Sequence, residues 1–158
     1  MGTRNSTLVK LNGEIKVEQY GQWDGYPTGQ GATVQDFLKT VDLEDFKKKV
    51  AKLGVWTDKE VEEIVQGNEQ YFIGANTDWA TQYPELSRDT GAGILQLIAD
   101  GTATKVVLYT GFKDDGLMCE YWYELDLDKE TVTMNDRVFT FDEWREIDLE
   151  KLENEGDE

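Results

Sequence analysis

The sequence has no histidine and a single cysteine among its 158 residues. Without histidine it lacks the commonest general base near neutral pH and the commonest metal ligand. One cysteine, Cys119, excludes an intramolecular disulfide and leaves a thiolate zinc site short of ligands. Within Leu117-Met118-Cys119 it reads as a small buried hydrophobe. Arginine is scarce, with Arg4, Arg88, Arg137 and Arg145 the whole set. No apolar run approaches the roughly 18 residues of a membrane span. The start, Met1 to Ser6, lacks the apolar core of a secretory signal, so a cytoplasmic location is expected.

What is present points to a folded domain. Hydrophobic residues make up 39% of the chain and aromatic residues 11%, too many for a wholly disordered protein. A chain of this length buries roughly 70% of its unfolded surface and needs no metal or disulfide to fold, and no cofactor is assigned. Net charge is −17, a field that repels nucleic acid and anionic membrane and attracts basic proteins. Residues 139–158 hold nine acids against Arg145 and Lys151, a local sum of −7. Composition therefore divides the chain into one domain over residues 1–150 and an acidic C-terminal tail over 151–158.

Asn12-Gly13 between two apolar stretches signals a hairpin over Ser6–Leu11 and Glu14–Gln19, with Leu8 facing Val17 and Lys10 facing Ile15. Apolar residues on both faces of this ribbon call for cover on both sides. Residues 20–31, rich in glycine and aromatics, form no regular element. A short helix follows over 32–39. Asp42 caps another, with Leu43, Phe46, Val50 and Leu53 inward, Lys47, Lys48 and Lys49 toward solvent, and Gly54 as the stop. Thr57-Asp58-Lys59-Glu60 is a capping box that opens a third helix. A fourth runs from about Leu86 or Ser87 to Asp100, ended by Gly101. Strands are expected over 105–110, 120–128, 131–135 and 137–141, with a last helical turn over 142–147. Strands at both ends and helices between them predict a single α+β domain, its sheet mostly antiparallel with the central helices packed on it.

The blocks Gly2-Thr3-Arg4-Asn5, Gln19-Tyr20-Gly21-Gln22-Trp23-Asp24-Gly25-Tyr26-Pro27, Gly29-Gln30-Gly31, Leu86 to Thr90 and Tyr121 to Asp128 together resemble a family of small phage and microbial proteins. The resemblance touches most of the chain and brings no activity with it. A phage setting would imply host take-over or counter-defence in the host cytoplasm. The order of strand, hairpin and glycine-rich loop also faintly resembles the N-terminal-nucleophile hydrolases, whose mature chains begin with Cys, Ser or Thr. Removing Met1 here exposes Gly2, with Thr3 second, so the nucleophile is missing.

Tyr20, Trp23 and Tyr26 offer flat rings with polar edges, suited to stacking on a base or sugar. Asp24 could accept hydrogen bonds from a ribose. Arg4 and Arg88 could grip a phosphate with a planar fork that lysine cannot copy. The competing structural role has the loop packed over the sheet, with Asp24 in an Asx turn or paired with an arginine. No catalytic residue and no metal site is assigned. Asp126 and Asp128 read as a solvated face, and no calcium-loop or phosphate-loop spacing occurs. The leading expectation is a non-enzymatic protein that sequesters a nucleotide-like small molecule, as a homo-oligomer where that adds buried area. An acidic mimic that blocks a basic host protein is the alternative, and a hydrolase is third.

Overall fold

The computed structural model describes residues 3–57, 59–60, 90–108, 111, 114 and 119–156. They form one α+β domain, as composition and element order predict. Strands β1 (Asn5–Leu11) and β2 (Glu14–Gly21) make the first hairpin. A π-helical turn over Pro27–Gly31 leads into α1 (Ala32–Thr40) and then α2 (Leu43–Ala51). Two-residue strands β3 (Gly54–Val55) and β4 (Lys105–Val106) pair in parallel, and α3 (Ile94–Ala99) precedes β4. Strands β5 (Tyr121–Asp126), β6 (Thr131–Met134) and β7 (Arg137–Thr140) run into α4 (Phe141–Glu146) and α5 (Leu149–Gly156).

The main sheet has the order β2-β1-β5-β6-β7. Every pairing is antiparallel except β1 with β5, which lie parallel with Asn5 opposite Tyr121 and Val9 opposite Leu125. Side chains alternate faces along a strand. Val9, Leu11, Val17, Tyr123, Leu125 and Val132 therefore share one face, which the helices cover. Phe37 and Phe46 meet edge-on there at 5.0 Å, and Tyr123 and Phe139 both pack against Trp144. Leu8 lies on the opposite face and is also buried. Ser6 and Glu18 on this second face are buried as well, and Gly111 N donates there to Glu18 Oε2 at 2.8 Å. The ribbon is covered on both sides.

Several local signals hold. Asn12 and Gly13 both take positive φ, and Asp42 accepts from Asp45 N. Thr57 and Glu60 close the capping box, although residues 61–89, where most of the third helix and the start of the fourth are expected, lie outside the described residues. Gly101 ends α3 at φ 81°. Other details differ. The hairpin register shifts after Val9, so Val17 lies opposite Val9 and Leu8 opposite Glu18, not Val17. This bulge puts Val17 and Val9 into the same core, whereas the unshifted register would turn Val17 to the other face. Lys49 is half-buried, bonding Ala99 O at the end of α3 at 2.5 Å and Asp45 at 2.8 Å. Cations suit a helix C-terminus, where carbonyls lack partners. The acidic segment from 151 is helical through Gly156 as part of α5, whose Leu149 and Leu152 are buried in the core. Its charge hides an amphipathic stripe.

Candidate functional site

The loop after β2 is built around hydrogen bonds to its own main chain. Asn5, fully buried on β1, donates through Nδ2 to Thr3 O and Trp23 O, both at 3.0 Å. Gly25 N donates to Thr3 O at 3.0 Å, and Gln30 N to Asp24 O at 2.7 Å. The Gln30 side chain donates to Trp23 O at 2.9 Å and accepts from Ala92 N at 2.8 Å. Below, Tyr123 Oη donates to Gly25 O at 2.6 Å and Trp144 Nε1 to Gly31 O at 3.3 Å. Burial holds the Tyr123 hydroxyl well above its ordinary pKa, so it stays a donor. At Gly25 a Cβ would meet Thr3 O at 2.9 Å, and at Gly29 one would meet Asp24 O at 2.2 Å. These glycines serve close packing of the loop on the protein itself.

The aromatic rings fare differently from the backbone. Trp23 is 41% exposed and Tyr26 45%, although the loop that carries them is pinned on both sides. Tyr26 meets the Tyr121 ring edge-on at 5.9 Å. Tyr20 lies within β2 opposite Ser6, so its side chain leaves the sheet on the face opposite Tyr121, and its hydroxyl donates to Gln22 Oε1. The structure thus separates Tyr20 from Tyr26 and leaves Trp23 and Tyr26 as the exposed rings of the loop. Asp24 is exposed with φ 54°, and its main-chain carbonyl, not its carboxylate, ties the loop. Arg4 is half-buried and its carbonyl accepts from Glu120 N at 3.0 Å. Among the described residues no ion pair joins Arg4 to Asp24. Arg88 lies outside the described residues.

Residues that sequence reasoning passed over border the same loop. A groove of about 500 Å³ opens beside Tyr121, between Pro27, the start of β5, the β6–β7 turn and α5. Asn135, at φ 43° in that turn, grips β5 by accepting from Trp122 N at 2.9 Å and donating to Glu120 O at 3.1 Å. Arg137 lies over the Phe139 ring at 5.4 Å. Glu153 on α5 accepts from both Thr28 N and Thr28 Oγ1, fastening the helix to the π-turn. Asn135-Asp136, a turn pair flanked by strands, is the one signal that could have marked this end of the sheet.

Other carboxylates cap turns. Asp126 Oδ1 accepts from the main-chain nitrogens of Asp128 and Lys129, and Asp128 Oδ2 accepts from Gly13 N across the hairpins. Among the described residues no cluster of three potential ligands could hold a metal ion, and no helix is long and apolar enough to cross a membrane. Cys119 is buried, its Sγ donating to Tyr121 O at 3.2 Å. No protein-family model, curated protein or solved structure matches this chain.

Proposed function

We propose that this chain is a non-enzymatic binding protein that sequesters a nucleotide-like small molecule on Trp23 and Tyr26. One observation carries this: two large rings stay exposed on a loop whose backbone is held by buried hydrogen bonds. Rings presented by a pre-ordered backbone lose little freedom on binding, so more of their contact energy becomes affinity. Stacking of a base on such a ring contributes about 1–3 kcal/mol. The phage setting implied by the sequence resemblance makes a nucleotide-derived immune signal the natural candidate. Titration calorimetry against cyclic and ADP-ribose-type nucleotides tests it. Saturable binding, loss of binding in Trp23→Ala, and recovery of the ligand unchanged after denaturation are expected. Absence of heat across the panel overturns the proposal, and recovery of an altered ligand makes the protein an enzyme.

A second function, an acidic inhibitor of a basic host protein, is favoured by the surface of α4 and α5. Asp142, Glu143, Glu146, Asp148 and Glu150 are all exposed there, and of these Asp142 is paired, with Arg145 at 2.6 Å. A pull-down from host lysate at low and high salt distinguishes it, because binding of this kind falls steeply with ionic strength. Native mass spectrometry of the same preparation reads the stoichiometry of any homo-oligomer.

A further inference from the structure

The groove beside Tyr121 is a surface distinct from the exposed face of Trp23, and its chemistry favours a different kind of group. Its apolar wall is the ring of Tyr121 with Met134 and Leu152. Glu120 and Glu153 line it too, and among the described lining residues Arg137 is the one cation, which leaves them with a net charge of −1. We propose that this groove takes a lysine or arginine side chain presented by a basic segment of a partner protein.

Such a side chain is amphipathic. Its methylene stem is accommodated by apolar surface while the charged head seeks carboxylate oxygens. The groove offers both. The main chain of Glu120 is fixed at both its nitrogen, which donates to Arg4 O at 3.0 Å, and its oxygen, which accepts from Asn135. Its exposed carboxylate therefore stands on a hydrogen-bonded main chain just before β5. Glu153 uses Oε1 for Thr28, and Oε2 takes no bond among the described residues. Arg137 is drawn toward Phe139 on one wall. Around the groove, the −17 field raises the local concentration of a basic partner. A phosphate would meet the opposite balance, attracted by Arg137 and repelled by two carboxylates.

The signs of three charge changes test the proposal. The probe is a fluorescein-labelled peptide of alternating arginine and glycine, followed by anisotropy at low salt, with folding of each variant checked by circular dichroism. Glu120→Gln should weaken binding about tenfold, as loss of one charge-assisted hydrogen bond implies. Glu14→Gln removes the same unit of charge at the exposed far end of the hairpin and should change affinity by less than about twofold. Arg137→Gln should tighten binding. Equal effects of Glu120→Gln and Glu14→Gln would mean that only the overall field attracts the peptide, and would overturn the proposal. Weaker binding in Arg137→Gln, or no binding of the peptide at all, would overturn it as well. The nucleotide titrations are independent of each of these outcomes.

Discussion

Gly29→Ala probes whether the loop backbone is held as tightly as its hydrogen bonds imply. The new methyl carbon would lie 2.2 Å from Asp24 O and 2.9 Å from Asp24 Cβ. Asp24 O is the acceptor for Gln30 N at 2.7 Å, so the carbonyl cannot swing aside without breaking that bond. Gln30 in turn bridges Trp23 O and Ala92 N, which carries the disturbance to the start of the loop and to the turn before α3. Overpacking costs about 1–3 kcal/mol. The lost hydrogen bond adds about 0.5–1.5 kcal/mol. Alanine's better helical propensity in the π-turn offsets up to about 1 kcal/mol. The net expectation is a loss of about 1–3 kcal/mol, or a melting temperature lower by about 3–10 °C for a chain of this size. Urea unfolding monitored by tryptophan fluorescence and by circular dichroism measures it. Gly13→Ala is the reference: φ is +79° there and no atom lies within 4 Å, so its cost, about 1–2 kcal/mol, is backbone strain alone. A Gly29→Ala protein as stable as the parent would refute the view that the Asp24–Gln30 bond organises the loop.

Tyr123→Phe should cost about 1–2 kcal/mol in urea unfolding, because Gly25 O loses its buried donor. Burial raises the Tyr123 pKa above its ordinary value of 10.0, so stability is full below that value and falls as pH rises past it. The phenylalanine variant should lack this part of the alkaline decline, and an unchanged alkaline slope would count against it. Glu60 is held down to about 2, first by its bond with Lys105 Nζ at 2.6 Å and then by Thr57 N. Its contribution is present above the ordinary value of 4.5 and is lost as pH falls toward 2, so a carboxyl titration by NMR with a midpoint near 4.5 would refute the pairing. Thr140→Ala removes the capping box of α4 and should destabilise by about 1 kcal/mol in thermal melts, with no loss expected if Glu143 alone holds the helix start.

What was legible in the sequence was local. Asn12-Gly13 specifies a tight turn because these residues take positive φ at little cost, and the structure has both there. Asp42 and Thr57 announce helix starts because their side-chain oxygens meet backbone donors only three residues away. The α+β class followed from the order of such elements along the chain.

Tertiary structure decided what depends on residues far apart in the chain. The parallel pairing of β1 with β5 leaves no local signature, yet it sets Tyr121 beside Asn5 and so within ring contact of Tyr26. The bulge after Val9 arises because core burial of Val17 outweighs a regular ladder, a competition invisible to turn chemistry. Lys49 looked solvated by helical periodicity, and only the end of α3 turns it into a carbonyl partner. Acidic composition masked α5 because charge on an exposed face says nothing about Leu149 and Leu152 beneath it. The glycines of the loop follow the same rule. Their number was plain from the start, but the atoms that forbid a side chain there, Thr3 O and Asp24 O, are placed by folding alone.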